Sequence, residues 1–177
     1  MGIGLHAYSN FGEHDQAVSS LRFDTFDQDL QLSLLEFTTP KEFKHQRLSL
    51  LVLFEKGKVL STAYGYDRDY QELETDPHKS KYRYPKSFRF SSQTGPVKVS
   101  GTARLELAQR IDVLEWVGSS FLRFMARQVS HPIFYKLRAH YELEVDRGDG
   151  TPPQTLRGEG FASFQLRPRS VERKIVG

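Results

Sequence analysis

The chain has 177 residues, with 25 basic and 22 acidic side chains and a pI near 9.1. Hydrophobic residues at 38% and charged residues at 27% fit one folded domain, 1–177, rather than a disordered chain. The absence of cysteine excludes disulfides, thiolate metal sites and cysteine nucleophiles, and it fits a cytoplasmic location.

The opening "MGIGLHAYSN" has no basic stretch followed by an apolar one, so no secretory signal is expected. After it, period-2 alternation recurs, the mark of half-buried strands. "SLRFDTF" sets Leu21, Phe23 and Thr25 against Arg22 and Asp24, and "DLQLSLLEF" puts Leu30, Leu32 and Leu34 on one face. "QRLSLLVLFEKGKVLSTAYGY" reads as a hairpin turning at Lys56-Gly57, with Leu48, Leu50, Val52 and Phe54 on one side of its first arm. Its apolar run "LSLLVLF" is too short to span a bilayer, so no stable membrane insertion is expected.

The next stretch, "STAYGYDRDYQELETDPHKSKYRYP", is rich in tyrosine. Alternation places Tyr64, Tyr66 and Arg68 on one face. Tyrosines with an arginine either line a pocket that holds an apolar molecule by a few polar points, or form an ordinary sheet surface. "SFRFSSQTGPVKVSGTARLEL" gives two strands joined at Gly95-Pro96, with Phe88 and Phe90 on the first and Val97, Val99, Gly101, Ala103 and Leu105 on the second.

Residues 112–130 break the rhythm. Val113, Val117, Phe121, Phe124, Met125 and Val129 follow helical spacing and form one apolar stripe. Asp112 and Glu115 resemble a capping box, and His131-Pro132 should stop the helix. Gly118 can split the segment into a turn and a shorter helix over 119–129. Phe121, Phe124 and Met125 are expected to face the sheet.

Two long arms follow, Phe134–Val145 and Leu156–Leu166, joined by "DRGDGTPP" and expected to pair antiparallel. On the first arm, Tyr135, Leu137, Ala139, Tyr141, Leu143 and Val145 alternate with a polar set that includes Arg138 and His140. On the second, Gly158, Gly160 and Ala162 leave room for close approach by a helix or a ligand, while Arg157, Glu159, Phe161 and Gln165 share the other face. "GEGFAS" lacks the spacing of a dinucleotide fingerprint, and the segment enters a strand. No P-loop, HExxH or GxSxG occurs. The six histidines do not pair at metal-ligand spacing, so no metal and no cofactor are expected. Basic residues are interleaved with acidic ones rather than gathered on one face, so no nucleic-acid partner is expected.

About eight mostly antiparallel strands joined by short turns, with one helix near 112–130, favour an up-and-down β-barrel; a two-sheet sandwich is the alternative. The order of "LLVLFEKGKVL", "YRYPKSFRF", "GPVKVSGTARLEL", "PIFYKLRAHYEL" and "LRGEGFASFQ", over about residues 46–167, resembles one lipocalin-like (calycin) half of the hydroxyneurosporene synthase and tocopherol cyclase-like group. Gln165 stands where that group has a terminal Glu, which puts an acid role there in doubt. Members usually pair two such barrels, so the resemblance implies either a single-barrel relative or a homodimer.

What the resemblance implies is a barrel acting on an apolar, isoprenoid- or polyketide-like small molecule. Two functions are carried forward. In one, the barrel binds such a molecule and either only holds it or catalyses its cyclisation, isomerisation or hydration. The acid candidates are then Glu159, Glu106, His140 and Tyr64, and the ligand-binding candidates are Tyr66, Arg68, Arg138, Arg157, Phe161 and Gln165. Arg157 and Glu159 are expected at a pocket mouth. In the other, a sandwich without a pocket presents a face to a protein partner.

Overall fold

The structure is a computed structural model that describes residues 19–25, 29–39, 44–92, 94–129 and 131–166. Nine strands form one sheet: β1 (Ser19–Thr25), β2 (Leu30–Thr38), β3 (Arg47–Glu55), β4 (Lys58–Tyr64), β5 (Asp67–Asp76), β6 (Lys79–Ser92), β7 (Lys98–Asp112), β8 (Ile133–Asp146) and β9 (Gln154–Leu166). Their order is β4-β3-β2-β1-β9-β8-β7-β6-β5, and every neighbouring pair is antiparallel. This is a continuous, curled, lipocalin-like sheet rather than a two-sheet sandwich. Among the described residues no helix is long and apolar enough to cross a membrane.

The alternating residues explain the curl. Leu21 and Phe23, Leu30 to Leu34, Phe88 and Phe90, Val99 to Leu105 and Tyr135 to Val145 all turn their apolar side chains to one face, which is buried. The rings meet across it. Phe23 of β1 lies 5.6 Å from Phe88 and 6.3 Å from Phe90 of β6, and 6.1 Å from Tyr141 of β8. First and last strands pair, Phe23 opposite Ala162, which brings the two ends of the sequence pattern together.

The expected final hairpin forms, with Phe134 opposite Gln165 and Val145 opposite Gln154. The small residues of β9 have two neighbours. A side chain at Gly160 would place its Cβ 2.5 Å from the backbone oxygen of Asp24, so β1 is the close approach there. At Gly158 it would meet the Tyr141 hydroxyl at 2.7 Å.

The two edges of the sheet are consecutive in the chain. β4 and β5 are separated by Gly65 and Tyr66 alone, and Gly65 holds φ 77, where a side chain is disfavoured. The kink breaks the alternation that groups Tyr64 with Tyr66 and Arg68. Tyr64 stays on the outer face, 77% exposed, while Tyr66 is fully buried. β5 itself is irregular, with three register shifts against β6. The named side of β3 (Leu48, Leu50, Val52, Phe54) is the outer one; Leu51 and Leu53 point inward.

The segment after β7 splits as Gly118 allows. A 3-10 turn covers Val113–Trp116, and helix α1 covers Ser120–Val129. Glu115 does not complete a capping box; Asp112 caps the turn by accepting the Leu114 N–H at 3.0 Å. The packing expectation for α1 is overturned. Phe121, Phe124 and Met125 are 68%, 58% and 49% exposed. The helix is anchored by its arginine side instead. Arg123 donates to the Val117 carbonyl oxygen at 2.8 Å, and α1 packs chiefly on the 3-10 turn. Phe121→Ala is therefore expected to leave the urea midpoint nearly unchanged; a midpoint lowered as by a core truncation would show that this ring is buried.

Candidate functional site

The buried residues are mainly apolar; Thr25, Ser61 and Ser92 are buried polar groups, and the buried ionisable ones lie on β2, at the ends of β5 and β7 and just before β8. These belong to two charged clusters. The first spans the kink. Glu36, the next inward position after Leu34, is 3% exposed and accepts from Arg68 at 2.7 Å (Nη2) and 2.9 and 3.1 Å (Nε). The Arg68 guanidinium lies 3.5 Å from the centre of the Tyr70 ring. Arg47 donates to the carbonyl oxygens of Tyr66 at 2.9 Å and of Arg68 at 3.3 Å, so side chains of β2 and β3 fasten the start of β5. Tyr66 packs edge-on to Phe90 at 6.4 Å.

The second cluster joins β5, β7 and β8. Asp76 accepts from the Tyr135 hydroxyl at 2.6 Å, from Arg110 Nε at 2.8 Å and from the His78 N–H at 2.7 Å. Arg110 also reaches Asp112 at 3.4 Å, and both oxygens of Asp112 lie within 2.9 Å of His131 Nε2. Asp76, Asp112 and His131 are all buried. Aromatic rings connect the clusters: Tyr70 is 6.4 Å from Phe164, Phe164 is 6.1 Å from Tyr135, and Tyr84 stacks on Tyr135 at 4.7 Å.

The electrostatics follow from these partners. Burial alone would raise the Asp76 carboxyl, but Tyr135, Arg110 and the His78 N–H outweigh it and hold the group below the usual range. Asp112 is likewise held low, by His131, the Leu114 N–H and Arg110 against the effect of burial. Burial raises Tyr66, and the Glu36 charge adds to it, so its hydroxyl stays protonated. Tyr135 is raised by burial and by its bond to Asp76. The arrangement therefore offers neutral hydroxyls and hydrogen-bonded ionic groups beside an apolar wall.

The residues singled out from sequence divide in two. Tyr66 and Arg68 lie on the inner face within the first cluster. The others lie on the outer face. Glu106, His140 and Glu159 do come together there, with His140 3.8 Å from Glu159 and 4.0 Å from Glu106, but their side chains are 69%, 47% and 72% exposed. Arg157 donates to Glu142 at 2.8 Å in solvent. Arg138 pairs across the strands with Glu106 and Phe161, and Phe161 lies under Lys136 at 5.8 Å. Gln165 accepts from Ser20 at 3.5 Å. Tyr64 stands apart from all of these. Sequence reasoning passed over Glu36, Asp76, Arg110, Asp112, His131 and Tyr135 as site residues. Glu36 carried a legible signal: a carboxylate at the inward position that continues Leu30, Leu32 and Leu34.

Solved structures share this fold. CghA, solved with Sch210972, matches with TM-score 0.52 at 11% identity over 85% of this chain and 41% of that chain. Kievitone hydratase from Nectria haematococca matches with TM-score 0.50 at 12% identity over 85% of this chain and 40% of that chain. The chain thus spans about two fifths of the length of the solved chains it matches. No curated protein matches the sequence. The sequence profile of the Svf1 family matches residues 12–162.

Proposed function

The chain belongs to the Svf1 family, and from that premise we propose that its barrel encloses an apolar small molecule at the end lined by the two charged clusters. The inner face carries this reading: rings along its length, and at one end two clusters of ionic groups hydrogen-bonded to one another. Sites for small apolar ligands have that character, a mostly apolar wall with a few placed polar groups. Phe23 meets Phe88 and Phe90 across the inner face, so a guest would lie toward the charged end or turn these rings aside.

The fold is shared with a kievitone hydratase and with CghA, which supports an enclosed organic ligand. Kinship with the hydroxyneurosporene synthase and tocopherol cyclase-like group belongs to the same proposal. Isomerisation, cyclisation or hydration needs proton transfer to or from the guest. The inner group placed for it is the buried Asp112–His131 pair, while the Tyr66 and Tyr135 hydroxyls, held protonated, are hydrogen-bond donors. Glu106, His140, Glu159 and Tyr64 would meet a molecule at the outer surface instead.

Titration with the fluorescent probe N-phenyl-1-naphthylamine tests the reading. Saturable uptake near one equivalent is expected, unchanged in a Phe121→Ser, Phe124→Ser double variant. Uptake that disappears with those two rings places the probe on α1 and overturns enclosure, as does no uptake at all.

A further inference from the structure

Among the described residues, the Tyr66 hydroxyl is a buried side-chain oxygen with no hydrogen-bond partner. The residue is fully buried, on the inner face, at the kink between the two sheet edges. Leaving such a group unpaired is costly, and native proteins rarely tolerate it without a reason. The groups around it are already engaged. Arg68 has Nε and Nη2 on Glu36 and its face on Tyr70, and Arg47 points both Nη atoms at backbone carbonyls. A phenylalanine would fill the same space against Phe90 without the penalty.

We propose that Tyr66 is the polar anchor of the ligand site, its hydroxyl binding the one uncharged oxygen, alcohol or carbonyl, of an otherwise apolar guest. The inference rests on the enclosure reading and specifies it. An uncharged oxygen fits because the ionic groups beside Tyr66 already have hydrogen-bond partners: Arg68 lies on Glu36, and both Nη atoms of Arg47 donate to backbone carbonyls. Glu36 is held by Arg68 at 2.7 Å with Arg47 at 4.0 Å, so a guest carboxylate would have to break existing bonds to find a cation. The guest's oxygen would sit at the kink and its apolar body would run along Phe90 and Tyr70.

Displacement of bound N-phenyl-1-naphthylamine by 1-dodecanol, dodecane and dodecanoate tests this in the parent and in Tyr66→Phe. In the parent, dodecanol should displace the probe best. In Tyr66→Phe, the dodecanol affinity should fall about three- to tenfold, the range of one hydrogen bond. Dodecane should be unaffected, and the variant without ligand should melt at the same temperature as the parent or higher. Equal dodecanol affinities in the two proteins overturn the anchor while leaving enclosure intact; so does a lower melting temperature in ligand-free Tyr66→Phe, which would mean that water or protein satisfies the hydroxyl. A parent preference for dodecanoate overturns the uncharged oxygen. A parent that takes up no probe removes enclosure and the anchor with it.

Discussion

Asp76→Asn is expected to lower folding stability by about 3–5 kcal/mol, the usual cost of removing one partner from a buried ion pair. Asp76 binds three donors, from Tyr135, Arg110 and His78. Asparagine keeps the shape but turns one acceptor into a donor, so it faces at least one of those hydrogens with another. Arg110, only 8% exposed in its side chain, would be left with Asp112 at 3.4 Å and the solvent-facing Glu115 at 3.6 Å. Arg157→Ala, on the outer face, should barely move the same urea midpoint.

The pH dependence has a definite sign. The Asp76 and Asp112 carboxyls are held below their ordinary value in the folded chain. Their contribution is therefore complete above the unfolded aspartate value of about 3.9 and is lost as the pH falls through the lower folded values. The parent should lose stability on acidification, and Asp76→Asn should show a shallower loss over the same range. An Asp76→Asn protein as stable as the parent at pH 7, with the same acid limb, would show that the cluster contributes nothing to the fold.

The fold was legible because it depends on a period. Strands such as β8, with Tyr135 to Val145 inward and Lys136 to Glu144 outward, carry an unbroken alternation that fixes which face is buried. The same rule failed where the backbone leaves the period. Gly65 reverses the sense between Tyr64 and Tyr66, and the shift between Leu107 and Gln109 in β7 changes the parity that brings Arg110 and Asp112 to the charged end. Beyond Arg68, β5 shows no alternation in the sequence, because its acidic run and three register shifts hide its pairing. The charged clusters join residues 32 and 34 apart (Glu36 to Arg68, Asp76 to Arg110), a distance no local pattern spans. Helix α1 misled for a different reason. Its spacing shows an apolar stripe but not which way the stripe points, and Arg123 settles that by bonding back to Val117.

Phe23→Ala is expected to be as damaging as Asp76→Asn, by a different route. Its ring is fully buried and meets Tyr141 of β8 and, four strands away across the curled sheet, Phe88 and Phe90 of β6. Truncating a buried phenylalanine costs about 3–5 kcal/mol, part lost transfer energy and part cavity. The cavity should persist here, because collapse would need β1 to move inward. β1 is held by ladders to β2 and β9 on both sides, and at Gly160 it already lies against β9 with no space for a side chain. The cavity would be dry and lined by rings, the kind of space that takes up benzene. Benzene should therefore raise the melting temperature of Phe23→Ala by more than it raises that of the parent. A Phe23→Ala protein that melts with the parent would mean that β1 does not pack across the barrel. One that is destabilised but indifferent to benzene would mean that the lumen closes up around the missing ring, and an interior that adaptable would also reshape itself around a guest.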